Sequence, residues 1–252
     1  MKPGKYLTWV SLAVIALVCA TAQSAHADQN PVFTKANQDY SQGHFQEAAE
    51  GYQKLVSAGE RSANLFYNLG NAWFRLGNFG EAILNYQRAL ALDSHHPEAA
   101  ANLTLVRDEA RALELKQGRL DRYVEVGTSA QYSITAAVAF WAVVFCAARL
   151  FFLRRRSATV LLLIILLIAV FAGAVFALYS LETARKGRTL AIVTGKKIEA
   201  RFAPADNAGS VLALPPGSEI KVLVQRGDWL YAALPNDLRG WIPANSAQLV
   251  RM

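Results

Sequence analysis

The sequence predicts a multidomain chain: a stack of paired α-helices, a two-helix transmembrane hairpin and a small all-β barrel, in that order. Three observations predict it. A helical pattern repeats at an offset of 34 residues within 29–96. Two apolar runs, 126–148 and 157–181, carry no charged residue. From Thr189 onward the hydrophobic period drops to short strands, broken by turns such as Gly227-Asp228 and Pro235-Asn236-Asp237.

Residues 1–27 read as a secretory signal peptide. Lys2 and Lys5 form a basic start, 6–20 is apolar, and Ala25-His26-Ala27 gives a small-x-small cleavage site before Asp28. The cysteines then fix little. Cys19 leaves with the leader and Cys146 lies in the first apolar run, so no internal disulfide is expected and packing alone must hold the folds. The +7 net charge is uneven. Residues 28–122 hold ten Lys/Arg against twelve Asp/Glu, a net of −2, and 185–252 hold ten against five, a net of +5.

A helical domain is expected over 28–117, with repeats at about 29–62 and 63–96 and a closing helix over 97–117 that starts at Pro97. Gly43-His44-Phe45-Gln46-Glu47-Ala48 aligns with Gly77-Asn78-Phe79-Gly80-Glu81-Ala82. The same offset pairs Asn37 with Asn71 and Tyr52 with Tyr86. The second copy is the fuller one, with Phe66, Leu69-Gly70, Trp73, Gly77, Phe79, Ala82, Tyr86 and Ala89. Gly70 and Ala82 are small enough to let two helices approach, and Gly77 suits a left-handed turn. In the first copy Ala36 stands in place of the Gly and Leu55 in place of the Ala. A 34-residue helical repeat of this pattern resembles the tetratricopeptide repeat. The resemblance implies a concave groove lined by the first helix of each repeat. Carried over by repeat position, it makes Asn37, Tyr40, Tyr67, Asn71 and Arg75 peptide-binding candidates. Tyr40 and Tyr67 have a second reading, as covers over the stack.

A polar linker, 118–130, leads to the hairpin. Its spans are expected at 131–152 and 158–181, each near the roughly 20 apolar residues that cross a bilayer. Between them lies an Arg-rich turn, 153–157, containing Arg154-Arg155-Arg156. With an exported N-terminus this turn faces the cytoplasm, as the positive-inside tendency requires. Arg185, Lys186 and Arg188, after the second span, oppose that bias. The expected location is the bacterial inner membrane, two-pass, with both large domains on the extracytoplasmic side.

The last segment, 188–252, carries Glu199-Ala200-Arg201, Pro204, Val211, Ala213, Pro215, Gly217, Gly227-Asp228-Trp229 and Gly240-Trp241-Ile242-Pro243. In that order these resemble a bacterial SH3-like domain. Ile220, Val222 and Val224 are expected on one strand face. Trp229 and Trp241 are ligand-face candidates, with barrel core as the competing reading. Arg201 reads as a structural hydrogen-bonding residue.

No catalytic constellation is present in the sequence. His95-His96 has no Cys or carboxylate at metal spacing, no glycine-rich phosphate loop appears, and no Ser-His-Asp or Cys-His set assembles. The expectation is a chain that is not an enzyme, with no cofactor and no metal. Nucleic acid is an unsuitable partner for an extracytoplasmic basic domain.

Leader, helical repeats, membrane hairpin and SH3-like domain together resemble, in domain order, the E-type (BatE-like) membrane proteins of the Bat (Bacteroides aerotolerance) group. That resemblance implies an accessory scaffold among von Willebrand A-type membrane proteins, with a MoxR-type ATPase as an indirect partner. Peptidoglycan is the alternative partner, gripped by the SH3-like domain.

Overall fold

A computed structural model describes residues 30–116, 127–153, 158–183 and 189–251. The leader, most of the linker, the triple-Arg turn and Arg185, Lys186 and Arg188 lie outside the described residues. The chain divides into two compact units, 1–111 and 112–252.

The described part of the first unit is five antiparallel-paired helices: α1 (Pro31–Ser41), α2 (Phe45–Ser57), α3 (Ala63–Arg75), α4 (Phe79–Leu92) and α5 (Pro97–Ala110). Local chemistry sets their ends. Pro31 and Pro97 sit in the first turns of α1 and α5, where a missing N–H is harmless. The Asn30 and Ser62 side chains accept hydrogen bonds from Val32 and Leu65 N–H at 2.9 and 3.1 Å, capping α1 and α3. Gly43 and Gly77, equivalent in the two repeats, turn the chain with φ of 83° and 71°. Tyr52, Leu65, Phe66, Leu69, Ile83, Leu84 and Tyr86 are fully buried along the seam. Each such side chain contributes about 1.5–3 kcal/mol, so packing outweighs the weak propensity of any one short helix.

The two repeats achieve close approach differently. At Gly70 an added Cβ would meet the Tyr86 ring at 2.8 Å and the Ala82 carbonyl oxygen at 3.3 Å. The first repeat has Ala36 at that position, and the compensating small residue is Gly51, where a Cβ would lie 2.9 Å from the Ala36 Cβ. The 34-residue offset puts Asn85 at the place of Gly51, so each repeat reaches close approach through a glycine on a different helix of its pair.

The closing helix expected over 97–117 is shorter, ending at Ala110. Arg111 turns left-handed at φ 52°, its N–H bonding back to the Arg107 and Asp108 carbonyls. Residues 112–116 continue without helical structure and belong to the second unit.

The described part of the second unit holds two long helices, α6 (Ser129–Leu153) and α7 (Ala158–Thr183), and seven strands. The stretches 129–151 and 158–181 within these helices are long and apolar enough to cross a membrane, at mean hydropathies of 2.0 and 3.2. A core helix of a water-soluble protein is mostly buried, whereas only 11% of each apolar window is. What is buried is a seam of alanines, Ala136, Ala139, Ala174 and Ala177, with the Phe140 and Phe171 rings 6.2 Å apart beside it. Small residues at such a seam bring helices close where no hydrophobic drive operates between them. Phe145, Leu162, Ile165 and Leu166 stay exposed outside it.

The strands are β1 (Leu190–Val193), β2 (Ile198–Arg201), β3 (Ser210–Leu214), β4 (Glu219–Arg226), β5 (Trp229–Ala233), β6 (Arg239–Pro243) and β7 (Ala247–Leu249). All pairings are antiparallel, in the order β3-β2-β6-β5-β4-β1-β7. Leu214 of β3 and Ala247 of β7, at opposite ends of that order, share one hydrophobic cluster with Ala200, Ile220, Ala232 and Ile242. The sheet must therefore curl around its core, giving the small all-β domain expected.

One strand corrects the sequence pattern. Val222 pairs with Ala232 but Val224 pairs with Tyr231, leaving Leu223 as an extra residue. That bulge moves Val224 to the other face, where it is 55% exposed, while Ile220 is fully buried. The expectation of Ile220, Val222 and Val224 on one face fails after Val222 for this reason.

Candidate functional site

Two surfaces hold the residues singled out by sequence, one in each unit. In the helical unit, Asn37 of α1 accepts hydrogen bonds from the Tyr52 hydroxyl of α2 at 2.6 Å and from the Asn68 amide of α3 at 3.1 Å. One repeat later, Asn71 of α3 accepts from the Tyr86 hydroxyl of α4 at 2.6 Å and from the Asn102 amide of α5 at 3.0 Å. All three positions, Asn37/Asn71, Tyr52/Tyr86 and Asn68/Asn102, recur at the 34-residue offset. The network is therefore a ladder that joins each helix pair to the next repeat. Asn37 and Asn71 sit on the face where the candidates were placed, yet both Oδ1 atoms are engaged within the stack. Asn68 and Asn102 were not among the candidates, although the same offset links them.

Burial pushes the Tyr52 and Tyr86 hydroxyls well above the usual phenol range. Desolvation is the main cause for both. The neighbouring Tyr40 and Asp39 add to it at Tyr52. At Tyr86 the Asn102 hydrogen bond works the other way. Both groups serve as fixed neutral donors.

The other three candidates form two aromatic groupings. Tyr40 meets Phe45 edge-on at 5.2 Å, and the Arg75 guanidinium lies 4.4 Å over the same Phe45 ring. Arg75 is exposed, so its stem and planar head form an accessible rim. Tyr67 is half-buried, 6.1 Å from Tyr86 and 4.8 Å from the His96 ring. His96 also caps α5, with its Nδ1 3.4 Å from the Ala99 nitrogen. Phe45 and His96 are the members of these groupings that sequence reasoning left out.

In the β-domain, Leu230 and Ala232 of β5 and Gly240 and Ile242 of β6 point into the core. Strand alternation then puts Trp229, Tyr231, Trp241 and Pro243 on the opposite face. The register sets Trp229 against Pro243 and Tyr231 against Trp241, whose rings lie 5.0 Å apart. Val224 pairs with Tyr231 from β4 and Arg201 pairs with Trp241 from β2, extending one row across four strands. Both tryptophans are half-buried members of an outer aromatic strip, and the core is made by their neighbours. Arg201 is structural: one guanidinium nitrogen donates to the carbonyls of Asp206 and Ala208, the latter at 3.0 Å, closing the loop 202–209. Tyr231 and Val224 are strip members that sequence reasoning missed. Tyr231 was detectable, two residues from Trp229, but Val224 was hidden by the bulge.

Among the described residues no group of three His, Cys, Asp or Glu side chains stands close enough to hold a metal ion.

Residues 63–96, the second helical repeat, match the family model of the tetratricopeptide repeat. Among solved structures, the β-domain is similar to the C-terminal SH3 domain of myosin IB from Entamoeba histolytica. Identity is 24%, over 21% of this chain and 88% of that domain, at a TM-score of 0.16. A likeness of that score adds nothing to the strand pairing, which stands by itself. No curated protein matches the chain.

Proposed function

We propose that this chain is a non-enzymatic, membrane-anchored scaffold that presents two protein-binding modules, the helical repeats and the SH3-like domain, to one compartment. The observation that carries the reading is the outer strip of Trp229, Tyr231 and Trp241. These aromatics stand off the core, paired across β5 and β6, on a domain tethered to the same chain as a tetratricopeptide repeat. Tyr40, Tyr67 and Arg75 supply the matching face on the helices, and the amide groups of Asn37 and Asn71, whose Oδ1 atoms are engaged within the stack, suit the backbone carbonyls of an extended peptide. Two weak sites on one anchored chain raise each other's effective concentration for a shared partner, to the order of mM for short tethers.

The hairpin is the anchor in this reading, crossing the inner membrane twice with both modules extracytoplasmic and the leader 1–27 directing export. The apolar windows of α6 and α7, only 11% buried, support it. Domain order supports an accessory role in a Bat-type complex, with von Willebrand A-type membrane proteins as direct partners and a MoxR-type ATPase further off. The aromatic strip also suits stacking against sugar rings, which favours peptidoglycan as the second reading.

A photo-crosslinking residue placed at Tyr67, and separately at Trp241, in the full-length protein in its own membranes tests this. Protein adducts at both positions are expected, and a shared adduct fits best. Wall fragments alone at Trp241, with no protein adduct at either position, would overturn the scaffold reading.

A further inference from the structure

The residues just before the hairpin and the domain just after it are bonded to each other. Leu113 N–H donates to the Ser218 hydroxyl at 3.1 Å, and Glu219 N–H donates to the Leu113 carbonyl at 2.9 Å. Leu115 N–H donates to the Glu219 carboxylate at 3.2 Å. Lys116 Nζ lies 2.9 Å from the Asp237 carboxylate. The Leu113 side chain packs against the cluster that forms the β-domain core. These contacts join residues more than 100 positions apart, across the whole hairpin.

The receiving surface is buried. Ser218 is 0% and Glu219 1% exposed. Buried polar groups are costly without partners, and with residues 112–116 in place the Ser218 hydroxyl and the Glu219 carboxylate accept from Leu113 and Leu115 N–H. Lys116 and Asp237 are both well exposed, and their pairing adds direction more than stability.

We propose that residues 112–116 are a clasp: a segment synthesised ahead of the hairpin completes the β-domain that follows it. The β-domain thus owns a peptide slot at Ser218-Glu219, occupied in cis by Leu113-Glu114-Leu115-Lys116. One apolar side chain enters the core edge, main-chain groups bond at the slot, and a cation reaches Asp237. The clasp ties the two outer ends of the hairpin on one side of any membrane it crosses. It begins two residues after Ala110, the last residue of α5.

Carbodiimide treatment of the full-length protein, followed by peptide mapping, tests the clasp without resting on the scaffold reading. An amide between Lys116 and Asp237 is expected, alongside one between Lys35 and Asp39, an ion pair at 3.0 Å within α1 that serves as the internal reference. In Leu113→Asp the Lys116–Asp237 link disappears and the reference link stays. Where Leu113→Asp does not accumulate, Ser218→Ala replaces it, read by hydrogen exchange at the Glu219 amide. About tenfold faster exchange than in the parent protein is expected once the slot loosens. Absence of the Lys116–Asp237 link in the parent protein, its survival in Leu113→Asp, or unchanged Glu219 exchange in Ser218→Ala overturns the proposal.

Discussion

Asn37 and Asn71 each accept two hydrogen bonds, one from a tyrosine of the same helix pair and one from an asparagine of the next. Removing a single donor tests what that ladder contributes. Tyr86→Phe should destabilise the helical unit by about 1 kcal/mol at neutral pH, since Asn71 keeps its bond from Asn102. The pH dependence has a definite sign. The folded state raises the Tyr86 pKa above the unfolded value of about 10, so it favours the neutral phenol. That stabilisation is complete below about pH 10 and is lost as pH rises further. Far-UV circular dichroism melts at pH 7 and pH 11 should show a smaller alkaline loss in Tyr86→Phe than in the parent. An equal loss in both would place the alkaline sensitivity elsewhere, with Tyr52 next in line. The residue pairs behind this ladder were legible as spacings, because Asn37/Asn71 and Tyr52/Tyr86 repeat at 34. Their bonding was not, because a period shows that positions are equivalent without showing what each side chain touches.

The elements were legible in proportion to their length and periodicity. Two copies of a helix pair and two long apolar helices are strong signals, and α1 to α4, α6 and α7 are found where those signals lie. The four-residue β2 carries too few residues to show an alternation. β1 alternates not at all because every residue is buried: Ala191 and Val193 join the β-domain core, and Leu190 and Ile192 are buried as well. α5 stops at Ala110, where Arg111 turns left-handed, and Leu113 and Leu115 then bond to Ser218 and Glu219, contacts that no local propensity encodes. At the hairpin, the alanine seam makes a prediction. Ala139→Leu forces bulk into a closed contact and should weaken helix association by about 1–3 kcal/mol. Leu162→Ala, on the exposed side, should leave it nearly unchanged. An SDS titration followed by circular dichroism compares the two, and equal midpoints would argue against the seam.

For the whole molecule, domain order was readable from the shift of hydrophobic period along the chain, but the clasp and the outer position of Trp229 and Trp241 were not. Both depend on three-dimensional register: the clasp on a contact across the hairpin, the strip on which face of β5 and β6 meets the core. Their consequence is common to both modules. On the proposed reading, a pre-hairpin segment bonded to the post-hairpin domain puts helical repeats and aromatic strip in the same compartment. The direct measurement is sidedness. In a Cys146→Ser background, Glu60→Cys and Asn207→Cys each place a thiol at an exposed position, one in each module. A membrane-impermeant maleimide applied to spheroplasts should label both before lysis. Labelling of one module outside and the other only after lysis would contradict a scaffold built on a single two-pass hairpin.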